Sequence, residues 1–274
     1  MLLRLIGVSR RAATVLLLAF PTAAASQAPA DTLDVFFVGN SYIYFNNLPG
    51  LLEGIAAGLD GPPIRSGSHT IGGSTLRRHL DDGQLPDVLG PRGGAAWDRV
   101  VLQEQSALGT PMADQATGRL GSPDAFHSAL RELAPLIRGL GAEPLLYMTW
   151  AKERFPAQVE ALAEAYEAGG AELGVDVAPV GRAWSRAAET ALGLGLHLSD
   201  GSHPTPAGSY LAACVIYTTL TGLSPIGAPR EILGQPWDVT GPVASASQTV
   251  LVSLSRDEAA ALQRIAWETV NDDG

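Results

Sequence analysis

The chain has 274 residues, 46% of them hydrophobic and 17% charged, with a net charge of −10 and a pI near 4.9. That is the length of one large domain, and the apolar content is too high for a disordered chain. The acidic balance argues against nucleic acid as a partner, because phosphate binding draws on a surplus of Lys and Arg. Lys152 is the single lysine among 18 basic residues, so the chain has neither a Lys cluster for anionic lipid nor a GxxxxGK phosphate loop. A lone Cys214 excludes an internal disulfide framework and a Cys-based zinc finger.

The first residues read as a secretory signal. Arg4, Arg10 and Arg11 form a basic start, Ala12–Phe20 is a short apolar run, and small residues follow. The run is shorter than the ~20 residues a membrane-spanning helix needs. Ala23 and Ala25 fit an A-x-A site, which places cleavage after Ala25 and leaves residues 26–274 as one domain. The Arg10-Arg11 pair also resembles the start of a twin-arginine signal. Residues 1–25 hold three Arg and no acid, so the exported chain has 15 basic and 28 acidic residues, net −13. It is expected to be periplasmic or extracellular, without stable membrane insertion. Nothing in the sequence sets its oligomeric state.

Strand and helix signals then alternate. Leu33-Asp-Val-Phe-Phe-Val reads as a strand. Pro49 to Leu59 reads as a helix with Leu51, Leu52, Ile55, Ala56 and Leu59 on one face. A weak strand lies near Ile64 to Ile71, and Arg99-Val-Val-Leu-Gln is a buried-strand signal. Ser122-Pro123 opens a helix that Pro135 should kink and Gly141 should end. A strand follows from Glu143 to Thr149, a helix from Pro156 to Leu173, a short strand from Val175 to Val180, and a helix from Thr205 to Leu220. Cys214 lies in the apolar run of that helix and is expected in the core. Residues 222–248 are the least readable stretch, either a long loop or an excursion with a short hairpin at Gln248–Ser253. Ser255-Arg-Asp-Glu258 is a capping box opening a last helix. The alternation implies crossover units and a three-layer α/β/α domain around a parallel sheet of about five strands, flavodoxin-like in class.

In such sheets ligands bind beyond the carboxyl ends of the strands. The first three strand signals are followed by Gly39-Asn40-Ser41-Tyr42, by Gly72-Gly73-Ser74 and by Gln103-Glu104-Gln105-Ser106, and Asp200-Gly-Ser-His203-Pro204 comes later. These residues supply the parts of an acyl-transfer site. Ser41 is the candidate nucleophile, His203 its base, and Asp200 the carboxylate that orients the ring. Backbone N–H groups of Ser41 and of Gly72 or Gly73, with a carboxamide from Gln105 or Gln103, are candidate oxyanion donors. No third ligand accompanies Asp200 and His203, so a metal is not expected. Trp150, at the end of the fourth strand, is core or pocket lining. Tyr42, Tyr44 and Phe45 are pocket wall or core. His69, His79, His127 and His197 lack ligand spacing and read as surface or structural.

These blocks resemble those of the SGNH (GDSL-like) hydrolases. Val38-Gly39-Asn40-Ser41 is similar to the first block, which usually reads Gly-Asp-Ser. Ile71-Gly72-Gly73-Ser74-Thr75 is similar to the second, and Asp200-x-x-His203-Pro204 to the last. The third usually reads Gly-x-Asn-Asp, and here Gln105 stands in the place of its Asn and Ser106 of its Asp. The blocks keep the family order from Gly39 to Pro204. A Gly-x-Ser-x-Gly elbow, which an α/β-hydrolase would need, does not occur. The resemblance implies an exported serine esterase that works through an acyl-enzyme without cofactor. Its expected partner is a small-molecule or carbohydrate ester, with deacetylation of a carbohydrate among the expected reactions. A lipase, lysophospholipase or thioesterase on the same site, and a non-catalytic glycan-binding protein that kept the fold, are the alternative readings.

Overall fold

The computed structural model describes residues 31–90, 96–108, 121–190, 193–238, 241–243 and 247–272. Residues 1–25, read above as a secretory signal, lie outside them. The elements run β1 (Leu33–Gly39), α1 (Ser41–Tyr44), a 3₁₀ turn (Phe45–Asn47), α2 (Leu48–Ala57), β2 (Ile64–Thr70), α3 (Leu76–Asp81) and α4 (Leu85–Leu89). Next come β3 (Arg99–Leu102), α5 (Pro123–Gly139), β4 (Glu143–Tyr147), α6 (Gln158–Leu173), β5 (Asp176–Ala178), α7 (Val180–Glu189) and α8 (Pro206–Thr221). The chain closes with β6 (Glu231–Gly234), β7 (Trp237–Asp238), β8 (Gly241–Pro242), β9 (Thr249–Ser253) and α9 (Arg256–Asn271).

Five strands form one parallel sheet in the order β2-β1-β3-β4-β5. Alternation along β1 sends Val35 and Phe37 to one face and Phe36 and Val38 to the other, and each face meets its own helical layer. Helices α2, α7, α8 and α9 cover the first face, and α3, α4, α5 and α6 the second. This is the three-layer α/β/α architecture expected from the alternating signals. The chain leaves β1 toward β2 on one side and later returns to β3 on the other. The carboxyl end of β1 is therefore the switch point of the sheet, where a crevice opens between diverging connections.

The weak strand signal after Gly61 is β2, an edge strand with one residue, Ile64, fully in the core. The helix after Ser122 runs unbroken through Pro135, which lies on its exposed side. Val180 opens a helix rather than ending a strand. Its apolar residues Val180, Ala183, Trp184 and Ala187 follow helical spacing, but three of the four are small or β-branched and gave a weak signal. The segment from 222 to 248 is an excursion. Thr249–Ser253 is a strand as expected at the hairpin position, but its antiparallel partner is β6, some 20 residues upstream. β7 and β8 make a second small ladder that packs beside the 3₁₀ turn.

Two helix starts match their sequence signals. Ser255 accepts from the Glu258 N–H while the Glu258 carboxylate accepts from the Ser255 N–H, the reciprocal capping box. Thr205 caps α8 through the Gly208 N–H, with Pro206 in the first turn. α8 is apolar on all sides because it is enclosed: its residues from Ala207 to Thr218 are all buried. Cys214 is among them, and burial pushes its thiol well above the usual range, so it is a core residue and not a nucleophile. Gly208 lets this helix close on its neighbours, since a Cβ there would sit 2.6 Å from the Leu196 carbonyl oxygen and 2.7 Å from the Trp184 ring.

Two glycine substitutions separate packing from propensity. Gly208→Ala is expected to lower stability by about 1–3 kcal/mol through overpacking. Gly139→Ala, at the end of α5 where a Cβ meets nothing within 4 Å, is expected to be neutral or to add about 0.5 kcal/mol. Urea unfolding of both variants beside the parent chain checks the pair.

Candidate active site

Ser41 sits directly after β1 as the first residue of α1. Three contacts fix it there. The Gln103 carboxamide oxygen accepts from the Asn40 N–H at 2.9 Å, the Asn40 carboxamide oxygen accepts from the Tyr42 N–H, and the Asn40 amide donates to the Ser74 carbonyl at 2.9 Å. Gly39 leaves room for the Gln103 side chain, since a Cβ would lie 2.6 Å from the Gln103 Oε1. Asn at position 40, in place of the usual Asp, has a physical reason: a carboxylate could not donate to the Ser74 carbonyl.

Asp200 and His203 come from the loop that precedes α8. Both oxygens of Asp200 are used. Oδ1 accepts the N–H groups of Ser202 and His203 at 2.8 and 2.9 Å, which winds the loop into a tight turn. Oδ2 accepts from His203 Nδ1 at 2.6 Å. A carboxylate can only accept here, so Nδ1 carries the proton and Nε2 is left as an acceptor. Nε2 faces the Ser41 hydroxyl at 2.9 Å. The bond to His203, helped by the two N–H groups, brings the Asp200 carboxyl down to about 2. The carboxylate therefore stays ionised at any working pH. Ser41 is 8% exposed, while the His203 and Asp200 side chains are 30% and 47% exposed, so the site opens directly to solvent. A nucleophile, a base and an orienting carboxylate in hydrogen-bonded series is the geometry that acyl transfer needs.

The candidate oxyanion donors separate on inspection. Gln103 is fully buried with its amide engaged: its oxygen holds Asn40 and its nitrogen donates to the Glu104 carbonyl. It is a structural residue. The Gln105 oxygen accepts from the Ala107 N–H, which leaves the donor end of that amide for other work. Val38 pairs with Leu102 and Gly39 with Thr70, so the segments carrying Ser41, Gln105 and Gly72 leave neighbouring strands at the same end of the sheet. Gly73 has its own reason to be glycine. It takes φ of 64° in the turn closed by Ser74 N–H to the Ile71 carbonyl, a conformation other residues adopt at a cost. Ser106 does not act as a carboxylate substitute. It lies beside the Tyr42 hydroxyl, and its carbonyl accepts from Gln158.

Glu104 was not singled out as functional from the sequence, whereas Phe45 and Trp150 were read as core or pocket. Glu104 is completely buried, and its two oxygens accept from the Leu76 and Gln105 N–H groups at 3.0 and 2.7 Å. It ties the start of α3, just after the Gly72-Gly73 turn, to the Gln105 segment. Burial, partly offset by those two bonds, raises its carboxyl to about 7. A charged residue directly after a buried-strand run was the available signal. The Phe45 ring stacks on the His203 imidazole at 4.3 Å. Trp150 does not line a pocket. It is fully buried and packed between Tyr42 and Trp184. His79 is buried behind the nucleophile with Nε2 on the Gly39 carbonyl oxygen at 2.8 Å, and His127 and His197 bond backbone carbonyls in the same structural way. Among the described residues no group of three or more His, Cys, Asp and Glu is placed to hold a metal, and no helix is long and apolar enough to cross a membrane. A cavity of about 550 Å³ lies away from Ser41, between α3 and the start of α5, bordered by Thr75, Arg77, Glu104, Ser122 and Phe126.

Fold and site together resemble those of SGNH-type hydrolases. No family model and no curated protein matches the sequence. Solved structures do. A protein from Slackia heliotrinireducens assigned as an SGNH hydrolase is 27% identical, with a TM-score of 0.52 over 69% of this chain and 100% of its own. A DUF4886 family protein from Bacteroides uniformis is 20% identical, with a TM-score of 0.63 over 89% of this chain and 97% of its own. An acetylxylan esterase from Geobacillus stearothermophilus is 17% identical, with a TM-score of 0.55 over 73% of this chain and 99% of its own.

The buried titratable groups give a pH test. Burial holds His79 down to about 4 from its ordinary 6.5. The unfolded chain takes up that proton first, so stability falls as pH drops from 6.5 toward 4. Glu104, raised from 4.5 to about 7, acts oppositely and removes stability as pH rises through that range. His79→Gln keeps an amide donor for the Gly39 carbonyl but does not titrate. Glu104 acts alike in both chains, so the change in urea midpoint from pH 6.5 to 4.5 is expected to be less favourable in the parent than in the variant, by the His79 contribution. Equal changes would remove His79 from the account.

Proposed function

We propose that the chain is an exported serine esterase that hydrolyses a carboxylic ester through an acyl-enzyme, with an acylated carbohydrate as substrate. The observation that carries the chemistry is the Ser41–His203–Asp200 series, with contacts of 2.9 and 2.6 Å at the switch point of the sheet. His203 Nε2 takes the Ser41 proton as Oγ attacks the ester carbonyl. The negative oxygen that forms is held by the Ser41 and Gly72 N–H groups and the Gln105 amide. When the intermediate collapses, His203 returns its proton to the departing alcohol. Water then enters and attacks the acyl carbon as His203 takes its proton, and His203 returns that proton to Ser41 Oγ as the acid leaves.

The carbohydrate assignment rests on two supports. Asp200 and His203 are exposed at the rim, and an open rim suits a large alcohol part better than an enclosed acyl tunnel does. One structural neighbour is an acetylxylan esterase. Export rests on the sequence pattern of residues 1–25.

The test is intact-mass spectrometry of residues 26–274 after treatment with a fluorophosphonate, followed by assays on p-nitrophenyl acetate and acetylated xylo-oligosaccharides. One adduct is expected, absent in Ser41→Ala, with acetate released from the oligosaccharide. A folded protein that takes no adduct would contradict the esterase reading and favour a glycan-binding protein. An adduct with turnover confined to long-chain esters would replace the carbohydrate by a lipid. Gln105→Ala is expected to lose about 10²–10³ in kcat with the fold retained, the cost of one oxyanion donor. A loss within twofold would remove Gln105 from the oxyanion site.

A further inference from the structure

The catalytic imidazole stands on a loop, and three residues of spacing cannot hold that loop against a strand 160 positions earlier. Ser202, next to His203, is gripped from two sides. Its hydroxyl meets the Tyr42 Oη at 2.7 Å, and its carbonyl accepts from the Trp150 indole N–H at 2.9 Å. Tyr42 directly follows the nucleophile, and Trp150 follows β4. Their rings lie parallel, 4.3 Å apart and 2° from coplanar orientation, and Trp150 lies on Trp184 at 3.9 Å and 4°. All three are buried at 4% exposure or less. Locked in this stack, the Tyr42 hydroxyl and the Trp150 N–H have fixed positions in space. Asn46 adds a further tie by donating to the Pro204 carbonyl at 3.0 Å.

We propose that Tyr42 and Trp150 are positioning residues that set the Ser41–His203 distance by holding Ser202. The proposal rests on the hydrolase reading of the same site. Its logic is that one rigid side chain, adjacent in sequence to the nucleophile, also carries the residue adjacent to the base. Nucleophile and base then cannot drift apart independently. Small misplacements of reacting groups are costly, with about 1 Å worth about 10² in rate. Ser202 needs a hydroxyl for this role, though it touches neither Ser41 nor substrate.

The experiment uses three variants of residues 26–274, Tyr42→Phe, Ser202→Ala and the double, with Ser202→Thr as the rescue. Readouts are the rate of fluorophosphonate labelling, kcat and KM on p-nitrophenyl acetate, and the thermal midpoint. Tyr42→Phe keeps the ring stack and removes one hydroxyl. Loss of that hydrogen bond is expected to slow labelling and kcat by about three- to tenfold. KM should stay within twofold. Ser202→Ala should cost no more than Tyr42→Phe, whose hydroxyl also lies beside Ser106, the double should be no slower than Tyr42→Phe, and Ser202→Thr should recover most of the rate. Ser202 lies on a surface loop, so its variant is readable even if Tyr42→Phe folds poorly. Labelling of both single variants at the parental rate would overturn the proposal, as would losses that multiply in the double. If the parent chain itself takes no label, the hydrolase reading has failed instead.

Discussion

The structure depends on bringing a loop from the end of the sheet's sequence to a strand at its beginning. Ser41 and His203 are 162 residues apart, so only tertiary contacts bring them together. The joint is built from flat, stiff parts. A column of Tyr42, Trp150 and Trp184 stands beneath the Asp200–Pro204 loop, and its polar edges hold that loop where apolar burial alone would leave it free to slide. Aromatic stacks add about 0.5–1.5 kcal/mol beyond their buried area. Their larger value here is direction, since Tyr and Trp each present one polar atom at a fixed place on a rigid ring.

A second constraint acts at the floor of the site. The segments after β1, β2 and β3 must end level with one another if their donors are to converge on one oxygen. Parallel pairing sets the three strand ends side by side, and buried side chains then fix the segments that follow. Gln103 holds the Asn40 N–H, Asn40 holds the Ser74 carbonyl, and Glu104 gathers the N–H groups of Leu76 and Gln105. Burying a carboxylate without a cation is costly, which is why its pKa climbs to about 7. A group kept at that cost organises its surroundings, and here the surroundings are the two segments proposed to stabilise the oxyanion.

The layered fold was legible because its signals are strong and local. Alternating apolar runs, Ser122-Pro123 and the Ser255–Glu258 capping box each state their structure within a few residues. Ser41 was legible from its place after a strand, and Asp200 and His203 from their spacing. What was not legible required contacts across long separations. Gln103 and Gln105 are two residues apart with identical side chains, and only the Asn40 N–H 63 residues away decides which amide is engaged. Trp150 read first as core with a pocket wall as the alternative, and its stacking partners place it in the core. β9 announced itself, but its partner β6 could not be read, because strand pairing is a tertiary fact.

The central claim is that the ends of β1, β2 and β3 converge on one negative oxygen beside Ser41. The most direct measurement is a crystal structure of the phosphonylated Ser41 adduct. The phosphoryl oxygen is expected about 2.7–3.1 Å from the Ser41 and Gly72 nitrogens and the Gln105 amide nitrogen, the geometry of an oxyanion site. An adduct whose oxygen faces solvent, or reaches none of these three donors, would contradict the account.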